Sequence, residues 1–197
     1  GVAGAPGRTL SWAELAQAAG DPARRPADFD GDRLAAEDDF ETPDATYPFG
    51  THVAVVEVDM ETGLARLARI VTCDDAGRIA NPLLAEGQIH GGIAQGVAQA
   101  LMEEIAFDED GNNVTGTLTS YAIISAGELP AFETQRTVTP SPRNPLGAKG
   151  IGESGAIGST PAVWNAVVDA LSHLGVRNVD MPATPQRVWQ AIGEASG

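Results

Sequence analysis

The feature that most restricts this chain is its densest glycine run, Gly147-Ala148-Lys149-Gly150-Ile151-Gly152-Glu153-Ser154-Gly155. A stretch so poor in side chains reads as a loop, because glycine readily takes positive φ and lets the backbone approach a bulky group closely. The run holds the chain's single lysine, Lys149, and four residues later a lone carboxylate, Glu153; every other fixed cation is an arginine. One ammonium and one carboxylate on a bare loop point to a ligand rather than to a solvated patch. Glu153 is then the one acid/base group the loop offers to chemistry.

Gly150-x-Gly152-x-x-Gly155 matches the letters of a dinucleotide fingerprint, which requires a strand directly before it and a helix directly after. The residues from Pro140 to Lys149 are instead proline-rich, and Pro140, Pro142 and Pro145 are expected to keep that approach extended. Glu153 would also set a carboxylate against a pyrophosphate. A Walker A loop is excluded, since neither Ser nor Thr follows Lys149. A purely structural glycine turn leaves Lys149 and Glu153 unexplained.

A second glycine cluster falls inside a predicted helix. Asn81-Pro82 supplies a cap and a first-turn proline, and the helix is expected to run to about Glu104. Its middle reads Gln88-Ile89-His90-Gly91-Gly92-Ile93-Ala94-Gln95-Gly96. Each of the three glycines costs about 1 kcal/mol relative to alanine. Close packing of another helix or of a flat ligand would offset that cost, and the sequence weighs the two equally. Gln95 could present an amide, donor and acceptor together, to a heterocycle.

The remaining pattern is α+β. A short helix spans Leu10 to Ala19, with Ser11 and Glu14 as a capping box, and an acidic segment from Asp28 to Asp44 reads as solvated linker. We place the organisation as an N-terminal helix and linker, 1–46, before a main domain, 47–197. His52 to Asp59 and Leu64 to Thr72 form a predicted hairpin around Met60-Glu61-Thr62-Gly63, and Glu133 to Thr139 a further strand. Ser159 or Thr160 is expected to cap a helix starting at Pro161, with Val163, Trp164, Val167, Val168 and Leu171 on one face. Thr184-Pro185 opens a last helix with Val188, Trp189 and Ile192 inward; Trp12, Trp164 and Trp189 are expected as core anchors.

Composition removes several functions. A formal charge of −15 opposes nucleic acid and anionic membrane surfaces, which need clustered Lys and Arg. No apolar run reaches the roughly 18 residues of a membrane span. With 43% hydrophobic residues the chain can bury a core. Cys73 alone forms no internal disulfide, which favours a reducing, cytoplasmic setting. His52, His90 and His173 have no second His or Cys at ligand spacing, so no metal ligand is assigned. No histidine can be placed beside Ser154 to activate it as a nucleophile.

Three stretches together, Glu86 to Leu101 (EGQIHGGIAQGVAQAL), Leu146 to Leu171 (LGAKGIGESGAIGSTPAVWNAVVDAL) and Asp180 to Ile192 (DMPATPQRVWQAI), resemble one family. They look like the C-terminal end of the molybdenum-binding large subunit of the xanthine oxidase, aldehyde oxidase and carbon monoxide dehydrogenase family. The resemblance covers roughly Tyr47 to Ile192. It implies a molybdopterin-binding domain and a molybdopterin cytosine dinucleotide carrying Mo, shared with a part of the large subunit absent from this chain. Glu153 matches the family's base, which takes a proton from molybdenum-bound hydroxide while hydride passes to a sulfido ligand. Gln95, with Gly96, and Ile151, with Lys149, Gly150 and Gly152, match cofactor-contacting positions. Lys149 would pair with a cofactor phosphate or tune Glu153. The resemblance further implies partner chains bearing 2Fe-2S clusters and FAD, and a small-molecule substrate: an aldehyde, an N-heterocycle or carbon monoxide. The chain alone is expected to be inactive, with an apolar interface prone to self-association. The alternatives are a non-catalytic binding or assembly module of the same fold, and a nucleotide-binding domain using the glycine loop.

Overall fold

The computed structural model describes residues 3–5, 7, 9–29, 31 and 33–195. Asp30 and Asp32 of the acidic segment lie outside the described residues. The chain divides into two compact units, Gly1–Glu41 and Thr42–Gly197. The first contains one helix, α1 (Trp12–Gly20), opened by the expected capping box. The Glu14 amide donates to Ser11 Oγ at 3.2 Å, and the Ser11 amide returns a bond to the Glu14 carboxylate at 2.7 Å. Trp12 is 82% exposed, so it is no core anchor.

The second unit is an α+β fold around a three-stranded sheet in the order β1-β2-β3. Strands β1 (Phe49–Val58) and β2 (Ala65–Asp75) form the expected antiparallel hairpin, with a register shift between Val55 and Val56. Asp59 organises the turn by accepting the Glu61 and Thr62 amides at 2.8 and 3.2 Å. Gly63, at φ 73°, lets α4 (Pro185–Ala195) pack over that turn, where a Cβ would lie 2.7 Å from the Trp189 nitrogen. β3 (Phe132–Thr137) pairs parallel to β2, reached through α2 (Pro82–Leu101), so the sheet is mixed.

α3 runs Ser154–Leu171, beginning five residues before the expected cap. Ser159 and Thr160 do not cap it. Their hydroxyls bond back to the Gly155 and Ala156 carbonyls at 2.6 and 2.9 Å, and Pro161 sits inside the helix. Hydroxyls bonding to i−4 carbonyls are compatible with a helix interior, which is why the Ser-Thr-Pro signal misplaced the start. Gly158 lets α3 lie on β1, since a Cβ there would be 2.6 Å from His52 Nδ1.

The core joins Leu67 and Ile70 of β2, Ile89, Ile93 and Val97 of α2, Val163, Val167 and Leu171 of α3, and Val188 of α4. Burying each such side chain contributes roughly 1.5–3 kcal/mol, enough to outweigh the helix-propensity cost of the α2 glycines. Trp164 is half-buried and donates its indole N–H to the Val179 carbonyl at 2.6 Å. Trp189 is 56% exposed, lying about 100° around α4 from the buried Val188, so it is not a core anchor. Among the described residues no helix is long and apolar enough to cross a membrane.

Candidate functional site

The segment between β3 and α3, residues 138–153, is folded back on itself rather than extended. The Gly147 carbonyl accepts both the Arg78 and Ser141 amides, at 2.9 and 3.1 Å. Asn144 brackets Ala148, accepting its amide at 3.0 Å and donating to its carbonyl at 2.9 Å. Pro142 and Pro145 thus sit in turns instead of a straight run. The next link is an isolated bridge, Gly77 with Ala148, followed by a bond from the Lys149 amide to the Ala76 carbonyl at 2.9 Å. No strand leads directly into Gly150, and Gly155 belongs to the first turn of α3, so a dinucleotide-type strand–loop–helix is not formed.

Lys149 turns inward. Its Nζ lies 2.9 Å from Asp75 Oδ1 and 4.4 Å from the centroid of the Phe49 ring, with the two paired side chains 9% and 0% exposed. Asp75 also accepts the Gly77 amide at 3.0 Å and the Thr137 hydroxyl at 2.9 Å. Burial pushes the Asp75 carboxyl up, but hydrogen bonds from Lys149, Gly77, Thr139 and Thr137 outweigh it and hold the group well below the usual carboxylate range. The lysine's charge is therefore paired with Asp75 in this structure. A buried ammonium needs its counter-ion, and that partner stands 74 residues away in sequence, out of reach of any local reading. The available signal was the Asp74-Asp75 doublet closing β2 directly after the Ile70-Val71-Thr72-Cys73 run. Asp74 is equally buried, bonded to His52 Nε2 at 3.2 Å, so His52 is not isolated.

Beyond Lys149 the loop opens. At Gly150 and Gly152 an added Cβ would meet nothing within 4 Å, and neither has a left-handed φ. Ile151 is half-buried, and its carbonyl accepts the Ser154 hydroxyl at 3.2 Å. Glu153 is exposed at the N-cap of α3 and makes no side-chain capping bond. No hydrogen bond or ion pair to its carboxylate occurs among the described residues. An anion there is favoured by the positive end of the 18-residue helix.

The glycines of α2 separate into two sets. Gly92 and Gly96 face α3: a Cβ on Gly92 would lie 2.9 Å from Gly155 Cα, and one on Gly96 would strike Ser159 Oγ and come within 2.9 Å of Thr160 Oγ1. Both therefore serve helix packing, and Gly96 is turned away from any external group. Gly87 and Gly91 meet nothing within 4 Å and lie on the exposed side with Leu84, Gln88 and Gln95. A cavity of about 230 Å³ lies where this side approaches the loop, lined by Arg78, Leu84, Gln88, Lys149 and Ile151 among others. Gln88, rather than Gln95, is the amide at that cavity; Gln95 is exposed further along the same helix.

The exposed side of α2 and the loop thus offer unhindered glycines and an amide at the cavity, with the exposed Glu153 two residues beyond Ile151 in sequence. A family model for a molybdopterin cofactor-binding domain matches residues 1–130. The chain is 46% identical over 155 residues to the carbon monoxide dehydrogenase large chain of Hydrogenophaga pseudoflava, covering 79% of this chain and 19% of that protein. It is 37% identical over 191 residues to the nicotine 6-hydroxylase large subunit of Paenarthrobacter nicotinovorans, covering 96% and 23%. Among solved structures, reconstituted CO dehydrogenase from Oligotropha carboxidovorans aligns with a TM-score of 0.86 at 36% identity, covering 98% of this chain and 24% of that one. Quinoline 2-oxidoreductase from Pseudomonas putida 86 aligns with a TM-score of 0.84 at 39% identity, covering 98% and 25%. The chain belongs to the molybdopterin cofactor-binding domains found in molybdenum-binding subunits of the xanthine oxidase family. It spans about a fifth of the length of the relatives it matches.

The residues fit the group. Gly150 and Gly152 are required neither by crowding nor by positive φ, and they flank Ile151 at the mouth of the cavity. Backbone left bare for no internal reason suits a flat, bulky cofactor.

Proposed function

We propose that this chain forms one wall of the cofactor site of a molybdenum hydroxylase and supplies Glu153 as its base. The cofactor, when bound, supplies the two-electron redox step that side chains cannot. The observation that carries this reading is the Glu153 carboxylate, exposed and free of internal partners between an open glycine and the start of α3. A base must be reachable by the group it deprotonates and must not be spent on a structural bond. Gly150, Ile151 and Gly152 would lie against the cofactor, with Gln88 and Gln95 offering amides from α2. Lys149 contributes by holding the loop, and Gly96 by packing α2 on α3.

The finer assignments rest on the family resemblance of the three sequence stretches, on the single cysteine and on the acidic segment. The cofactor is the cytosine dinucleotide form, completed by the remainder of the large subunit, with 2Fe-2S and FAD on partner chains. The substrate is an aldehyde, an N-heterocycle or carbon monoxide, the enzyme is cytoplasmic, and residues 1–46 form a segment distinct from the catalytic domain.

In the assembled enzyme, Glu153→Gln is expected to leave Mo content and folding intact while lowering the rate of single-turnover reduction by at least ~10²-fold, the lower range for a positioned base. Glutamine keeps the size of the side chain but cannot take up a proton at that oxygen. Near-normal reduction at full Mo occupancy would transfer the role to another residue. It would leave this domain as a binding module.

A further inference from the structure

Two buried polar pairs close β2, the hydrogen-bonded His52–Asp74 and the ion pair Asp75–Lys149, and the proposed chemistry uses neither. The second of them, Asp75–Lys149, lies immediately behind the open loop. The span from Gly150 to Glu153 is fixed at both ends and almost nowhere between. Downstream, Gly155 is wedged on α2, where a Cβ would lie 2.6 Å from the Ile89 carbonyl and 2.9 Å from the Ile93 nitrogen. Upstream, Lys149 is held by its amide on Ala76, by Nζ on Asp75 and by the Phe49 ring. Between these anchors, among the described residues, the Ile151 carbonyl accepts two bonds from Ser154 and the Glu153 carbonyl accepts the Ile157 amide at 3.0 Å. Two unhindered glycines would otherwise let the carboxylate wander.

Asp75 is suited to be the fixed point. It faces Thr137 across the β2–β3 pairing and accepts that residue's hydroxyl, so one carboxylate ties two strands, the following turn and the loop. A lysine serving a phosphate would have to abandon this carboxylate, leaving a buried, uncompensated charge.

We propose that Asp75 and Lys149 are positioning residues: their buried pair clamps the loop at Lys149 and thereby fixes where Glu153 stands, and neither touches the cofactor. The catalytic meaning of the clamp rests on the reading of Glu153 above; the clamp itself does not.

The test uses Lys149→Met and the double variant Asp75→Asn/Lys149→Met of the 197-residue chain, with amide exchange read residue by residue. Lys149→Met strands the Asp75 charge and is expected to lower the denaturation midpoint. The double variant, with no charge left to strand, is expected to recover most of that loss. In the double variant the Lys149 and Ser154 amides, bonded to the Ala76 and Ile151 carbonyls, should still exchange at least ~10-fold faster than in the parent, while Ile93 and Val167 stay within about 2-fold. If the loop amides keep their parental rates, or change only in step with the core, the pair merely stabilises the fold and the clamp is refuted. Should Lys149→Met not fold, the double variant carries the same readout. A second arm measures Mo retention in the full-length large subunit. A clamp predicts that Asp75→Asn and Lys149→Met lower it alike, because each breaks the same pair. Loss with Lys149→Met alone would assign Lys149 to the cofactor and overturn the proposal. Failure of the wild-type subunit to hold Mo would instead count against the functional reading and leave the exchange result standing.

Discussion

At the scale of single residues, five titratable groups near the loop have different fates. His52, Asp74, Asp75 and Lys149 are consumed in pairs, whereas Glu153 is left open. Asp75 has a consequence for acid stability. Its carboxyl titrates below its unfolded value of about 3.9, so it contributes its full stabilisation above that pH. The contribution falls as the pH drops, because the unfolded chain then binds a proton that the folded chain does not. The stability gap between wild type and Asp75→Asn should be constant from pH 7 to about 5, then shrink by up to ~1.4 kcal/mol per pH unit below about pH 4. Urea denaturation at a series of pH values measures it. A gap unchanged at pH 3 would show that Asp75 is not held in its ionised form by these partners.

At the scale of elements, α2 and α3 meet backbone to backbone. The substitutions that probe this contact have opposite signs on the two sides of α2. Gly92→Ala would place a methyl against Gly155 Cα and the Ala156 nitrogen, at 2.9 and 3.0 Å, atoms that cannot turn aside. It is expected to destabilise by about 1–3 kcal/mol through overpacking. Gly91→Ala enters open space and should stabilise the isolated chain by up to ~1 kcal/mol through helix propensity. Equal effects at the two positions, measured by chemical denaturation, would contradict the division of the glycines. The helix between them also shows what pattern reading can miss. Gly91 and Gly92 are neighbours in a run that the sequence could assign only as a unit, and a 100° rotation sends one outward and the other into the contact.

At the scale of the molecule, the surface around the loop is left uncovered. Leu83 and Leu84 at the start of α2 are 78% and 67% exposed, and Leu146 and Ile157 lie open on either side of the loop. Under the proposed function this is the surface that the remaining subunit and the cofactor would cover. This makes a contrast testable. Gly152→Ala should change the stability of the isolated chain by less than ~0.5 kcal/mol, because a Cβ there meets nothing. In the assembled large subunit the same methyl should lower Mo occupancy, since the space is then filled. Comparing the melting curve of the chain with the Mo content of the assembly decides it; unchanged Mo would mean that Gly152 is not at the cofactor wall.

Local chemistry by itself determined α1 with its capping box, the Asn81-Pro82 helix start, the hairpin and the inward face of Val163, Val167 and Leu171. Each depends on residues within a turn or two of one another, where dihedral preference and spacing act alone. The sequence also marked Glu153 as the unpaired acid of a bare loop. Only the tertiary structure decided where α3 begins, because the Ser159-Thr160-Pro161 signal is overridden once the Gly155 turn packs on α2. Only it turned Lys149 inward, since the carboxylate that makes burial tolerable arrives from β2. Trp189 stayed exposed next to the buried Val188, because one residue turns the helix by about 100° and the packing against α4 decides which side is covered. Pairings across long sequence distances are set by the whole fold's burial of charge and apolar surface, and no window along the chain contains both partners.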